Sequence, residues 1–146
     1  MKKLVTWFLM ADGARARIVT REDSSTAYKL VFSEESVAAH ARSHDLGSDR
    51  PGHSQESANS AHHAIEPRHD LHRIEETLFV QTVAAHVNRE AARGSFDRLM
   101  VYAAPRVLSL LRKELDAPTL KKVHGEFPKD LTKVPVTELP AHFGTA

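Results

Sequence analysis

The chain opens on its densest apolar run. Residues 4–10, Leu-Val-Thr-Trp-Phe-Leu-Met, mix β-branched and aromatic side chains with almost no polar interruption, the pattern of a strand covered on both faces. Asp12-Gly13 follows, a dipeptide that supplies positive φ in a tight hairpin. Arg15 to Thr20 then alternates, with Ala16, Ile18 and Thr20 on one side and Arg15, Arg17 and Val19 on a wetter one. Tyr28 to Phe32 alternates again. The amino-terminal third therefore reads as an antiparallel meander of three strands, after which Ser33-Glu34-Glu35 is expected to start a helical or irregular piece. Lys2-Lys3 before the apolar run imitates a signal peptide, but the run is short for that purpose and Asp12, Arg15 and Arg17 occupy the place of a cleavage site. A cytoplasmic address is the expectation. No stretch of about 18 apolar residues occurs, so no membrane span is expected.

The remaining elements follow from periodicity and from proline and glycine punctuation. Pro67 suits a first helical turn and Gly94 a helix end. Between them Leu71, Ile74, Leu78, Ala85 and Ala92 share one side at about 100° per residue, flanked by Phe79, Val83 and Val87. Asp97 to Ala104 carries Leu-Met-Val-Tyr-Ala, a buried-type strand. Pro105 opens a second helix through Leu115, Pro118 stops it, Leu120 to Phe127 gives a fifth strand, and Val134 to Phe143 a short final helix. At 146 residues one domain spanning 1–146 is expected. Three meandering strands followed by helix-linked strands predict an α/β fold: a mixed five-stranded sheet of ribonuclease-H-like order 3-2-1-4-5, with helices packed on it.

Residues 40–69 break this pattern. Ser, Gly, Asn, Asp, Pro and His dominate, and Leu46 and Ile65 are the only large aliphatic residues, so a long His-rich polar loop is predicted, a length that calls for a functional reason. Seven of the chain's 10 histidines fall between His40 and His72. His62, His63, His69 and His72, with Glu66, could ligate zinc, although HExxH is absent and a solvated polar loop is the plainer reading of the composition. Protonating the seven would turn an acidic segment basic and favour a polyanion in acid. His86 and Trp7 are expected to pack in or beside the core.

Composition narrows the chemistry. Cysteine is absent, which excludes disulfides, cysteine-zinc sites and thiol catalysis. Twenty basic against 19 acidic residues leave no excess for indiscriminate duplex binding, so any anion site must be local. No P-loop, G-x-G-x-x-G or G-x-S-x-G string occurs. A binding module fits better than an enzyme, and no cofactor is implied. In the predicted topology the carboxyl ends of the first, fourth and fifth strands share one edge, where open α/β sheets bind ligands. Asp12, Arg106 and Lys129-Asp130 meet there, and Arg106 at a helix amino terminus adds a planar fork to free amides. Solvated turn residues are the plain alternative.

Taken together, Ala11-Asp12-Gly13-Ala14-Arg15-Ala16-Arg17, Ser48-Asp49-Arg50-Pro51-Gly52, Ala103-Ala104-Pro105-Arg106 and Pro128-Lys129-Asp130-Leu131-Thr132 resemble the bacterial host-attachment protein family nearly end to end. That family is similar to the middle domain of archaeal and eukaryotic peptide-chain release factors and of Pelota. In release factors a Gly-Gly-Gln loop between the third strand and the long helix reaches the peptidyl-transferase centre for peptidyl-tRNA hydrolysis. Pro51-Gly52-His53-Ser54-Gln55 holds no Gly-Gly-Gln, so the resemblance implies docking to RNA or ribosome without that hydrolysis. Asp12, Arg15, Arg17, Asp49, Arg50, Arg106, Lys129 and Asp130 are the expected anion- or RNA-binding residues. An adhesion factor that contacts host cells directly and a metal-dependent hydrolase using the His-rich loop are the alternatives.

Overall fold

The computed structural model describes residues 3–38 and 61–143, with residues 61–69 described through their backbone only. In chain order the elements are β1 (Val5–Ala11), β2 (Arg15–Glu22), β3 (Lys29–Glu35), α1 (Ala61–Ala92), β4 (Arg98–Ala103), α2 (Pro105–Glu114), α3 (Ala117–Leu120), β5 (Val123–Phe127), a 3-10 turn (Val136–Glu138) and α4 (Leu139–His142). They build one mixed sheet of order β3-β2-β1-β4-β5. β1 is antiparallel to β2 and parallel to β4, β2–β3 is antiparallel, and β4–β5 is parallel. This is the order that the alternation and the crossovers predicted. The central position of β1 explains its composition, because both its faces are covered.

Each face of the sheet carries its own core. On one, Trp7, Leu9, Ala11, Ala16 and Ile18 pack beneath α1 and α2. On the other, Phe8, Met10, Val19, Met100 and Tyr102 lie under Leu131, Leu139 and Phe143 of the carboxyl-terminal segment. Each aliphatic or aromatic side chain buried in this way contributes about 1.5–3 kcal/mol before entropy is set against it. Tyr102 donates its hydroxyl to the Phe143 carbonyl at 3.0 Å, and burial pushes its pKa up to about 12. His86 stacks on Phe32 at 4.2 Å and faces Trp7 at 6.2 Å, so it sits at the core edge as expected.

Several expectations are corrected. β3 continues through Ser33-Glu34-Glu35 because its register partners on β2, Arg15 to Arg17, extend that far. α1 begins at Ala61, so its backbone takes in residues expected in the polar loop, and Pro67 lies inside it, where the missing N–H forgoes one helical bond. Residues 40–60 lie outside the described residues. The largest correction concerns the face of α1. Phe79, Val80, Val83, Ala84, Val87 and Ala91 are buried, whereas Leu71, Ile74 and Leu78 are 41%, 52% and 52% exposed. The predicted stripe points away from the sheet, and the residues read as its flank belong to the buried arc. Branched and aromatic side chains offer more area to a sheet than a row ending in alanines.

Gly94 has φ of 75°, and it ends α1 as predicted. Ser95 donates to the Glu90 carbonyl at 3.0 Å and Gly94 to that of Ala91 at 3.1 Å, the paired bonds of a Schellman closure. Gly13 has no positive φ, which corrects the hairpin reading. The turn is shaped by Asp12 instead, whose Oδ1 accepts from the amides of Ala14 and Arg15 at 2.8 and 2.6 Å. Among the described residues no helix is long and apolar enough to cross a membrane.

Candidate functional site

Four segments meet at the carboxyl edge of β1 and β4. The hairpin after β1 brings Asp12 and Gly13, α1 brings His72 and Glu76, the start of α2 brings Arg106, and the chain after β5 brings Lys129 to Thr132. Glu76 ties the first three together. Its Oε1 lies 3.2 Å from Arg106 Nη2 and its Oε2 3.1 Å from His72 Nε2. A Cβ added to Gly13 would lie 2.5 Å from Oε2, so the glycine makes room for the Glu76 carboxylate against the hairpin. Among the described residues the buried Nδ1 of His72 has no hydrogen-bond partner.

Thr132 ties the hairpin to the fourth segment. This buried hydroxyl is 2.6 Å from Asp130 Oδ1 and 3.2 Å from Asp12 Oδ2. A hydroxyl has one hydrogen to donate, so the shorter contact takes it and the longer one is weaker. Asp130 also accepts the Thr132 amide at 3.0 Å. Asp12 and Asp130 are thus engaged in holding turns, a positioning task that leaves the cations beside them in place.

The predicted cations divide into distinct environments. Arg106, its side chain 45% exposed, stands in the first turn of α2. That helix has Ala104 as its N-cap with no side-chain cap bond and no acidic residue in its first turn; Pro105 has no N–H and Leu108 donates to the Ala104 carbonyl at 2.9 Å, so the amides of Arg106 and Val107 are the two without a capping side chain. α3 differs, since Asp116 caps it through Thr119. Lys129 is exposed beside Asp130. Arg15 Nε lies 3.6 Å from Glu35 Oε1 across the β2–β3 pair. Arg17 turns its Nη2 to the carbonyls of Leu131 and Val134, both at 2.6 Å, and burial lowers its pKa; it clamps the segment after β5 onto β2. Asp49 and Arg50 lie outside the described residues, as do the side chains of His62, His63 and His69. His72 faces Glu76, and among the described residues no group of three or more His, Cys, Asp or Glu is gathered to hold a metal ion.

Residues 7–143 match the family model described as "Protein required for attachment to host cells". The chain belongs to this family. The matched span contains the whole cluster from Asp12 to Thr132. No curated protein matches the chain. The sequence reading had not singled out Glu76 or Thr132 for this host-attachment family member. Glu76 had a signal: at 100° per residue it falls between Phe79, Val80, Val83 and Val87, a carboxylate centred on the buried arc of α1. Thr132 had none beyond its neighbour Asp130.

Proposed function

We propose that this host-attachment family protein is a non-enzymatic binding module that docks RNA phosphate at the carboxyl edge of its sheet. The carrying observation is the uncapped start of α2 with Arg106 in its first turn, held against the first hairpin through Glu76. A phosphate there would receive the free amides, the favourable end of the helix dipole and a guanidinium fork together. Lys129 and Arg15, on the neighbouring segments, would extend the basic surface; Arg50 lies outside the described residues. Asp12, Asp130 and Arg17 fix the backbone that presents them. In the resting protein Glu76 occupies Arg106, so a ligand displaces a weak, partly exposed ion pair.

The sheet order supports a ribonuclease-H-like core and, with it, kinship to the middle domain of release factors and Pelota, which favours RNA or the ribosome among polyanions. The protein then acts in the cytoplasm as a single domain, and its part in attachment is indirect. The decisive experiment is fluorescence anisotropy of labelled RNA against Arg106→Ala and Arg106→Glu over a salt series. Loss of Arg106 is expected to weaken binding several-fold and to reduce the salt slope by about one. Unchanged affinity and slope would reject the site. The family description favours a second reading, direct contact with host cells. Surface labelling of intact producing cells against ribosome pelleting separates the two.

A further inference from the structure

α1 has two apolar arcs on opposite sides; the sheet takes one, and the other is bordered by the end of α2, where Gln81 and Asn88 donate to Glu114 at 3.4 and 3.1 Å and Asn88 accepts the Asp116 amide at 3.0 Å. The outer arc carries Leu71, Ile74 and Leu78 in its amino-terminal half, all 41–52% exposed, and continues through the exposed Ala85 and Ala92. Leu71, Leu78, Ala85 and Ala92 are seven residues apart, with Ile74 and Gln81 three beyond the first two, the seam of a helix pair. The charges beside it are ordered as well. On one flank Glu75 accompanies the large aliphatic half and Arg89 the alanine half, while Asp70 and Arg73 lie toward the other.

We propose that this outer face pairs with the same face of a second copy of the chain, the two α1 helices running antiparallel about an axis near Gln81 and Thr82. In that arrangement Leu78 of one copy meets Ala85 of the other and Leu71 meets Ala92, so each large side chain fills the space that an alanine leaves. Glu75 comes opposite Arg89 of the second copy, on the same flank of the seam. A parallel pair would set leucine against leucine, alanine against alanine and like charge against like charge, so polarity as well as contact is specified. The self-complementarity lies in residues placed before and after one point of a single helix, which is the signature of an isologous contact.

This surface is separate from the edge that holds Glu76 and Arg106, and the test reads assembly alone. Sedimentation velocity of the full chain, over a concentration series reaching about 0.1 mM, is expected to show a monomer–dimer equilibrium. Ile74→Lys with Leu78→Lys is expected to abolish the dimer while far-UV circular dichroism is unchanged, since both side chains are exposed. Glu75→Arg and Arg89→Glu should each weaken association about fivefold, and the double variant should recover it. Because the chain has no cysteine, Thr82→Cys gives a single thiol near the axis that should form an interchain disulfide on mild oxidation, whereas Leu71→Cys should not. A monomer throughout the series leaves the face to another partner and overturns the proposal. Equal cross-linking at positions 71 and 82 overturns it too, as the mark of parallel pairing.

Discussion

Gly13→Ala, made with and without Glu76, measures how tightly the first hairpin and α1 are joined at the site. The added methyl carbon would lie 2.5 Å from Glu76 Oε2 and 2.7 Å from its Cδ and Cγ, distances that force the carboxylate to leave. Its displacement gives up the contacts with Arg106 and His72, partly exposed pairs worth about 0.2–1 kcal/mol each. A strained rotamer adds about 0.5–1.5 kcal/mol. Against this, Gly13 has no positive φ, so alanine fits the backbone and restricts the unfolded chain, a gain of about 0.4–1 kcal/mol. The sum is a destabilisation of about 1 kcal/mol. In a Glu76→Ala background only the last contribution survives, and Gly13→Ala should then stabilise by about 0.4–1 kcal/mol. Urea unfolding of the four proteins of the cycle gives the coupling directly. A loss of the same size in both backgrounds would refute the close-approach argument and return Gly13 to the role of a turn glycine.

Other outcomes follow from the same geometry. Glu76→Gln leaves Arg106 without its anion and should tighten RNA binding several-fold in the anisotropy assay; weaker binding would mean that Glu76 faces the ligand itself. Arg17→Met removes two charged hydrogen bonds to carbonyls and should cost about 2–3 kcal/mol in urea unfolding, whereas Arg15→Met should cost less than about 1 kcal/mol. Burial foremost, aided by Arg89 and Arg93 and opposed by Glu90 and Glu34, holds the His86 pKa below 6.5. The folded state therefore binds fewer protons than the unfolded one. The resulting stability is complete above about pH 6.5 and declines as pH falls from there through the lower folded value. The melting temperature of the wild type should drop more between pH 7.5 and 5.5 than that of His86→Phe, and equal slopes would contradict this.

What could be read from the residues depended on whether one interaction or several decided an element. β1 and β4 were legible because a continuous apolar run has one use, a strand with two covered faces, and their parallel pairing followed from the helical crossover between them. α1 was legible as a helix and misread as to its face. Leu71, Ile74 and Leu78 compete there with Phe79, Val80, Val83 and Val87, and periodicity alone ranks neither arc. β3 ran longer than its alternation because β2 supplied partners for Ser33 to Glu35. At the site, Arg106 and Asp130 were found from their places beside helix and strand ends. Arg17 was assigned to the ligand surface by its sequence neighbours, yet its partners are carbonyls 114 and 117 residues away, a separation that no local pattern reveals. The role of Gly13 was hidden for the same reason, since what it accommodates is a side chain from α1.

The seam between β1 and β4 also governs the order in which the molecule can be assembled. The bond from the Val5 amide to Asp97 closes 92 residues of chain, while β1, β2 and β3 adjoin through short turns. The amino-terminal hairpins can therefore form early, during synthesis, with one rim of β1 still lacking its neighbour. Closing that rim waits for the long helix and β4, and it carries the entropic cost of so large a closure. Until then the nascent sheet displays an unpaired, strongly apolar margin, the species most exposed to aggregation and to chaperones.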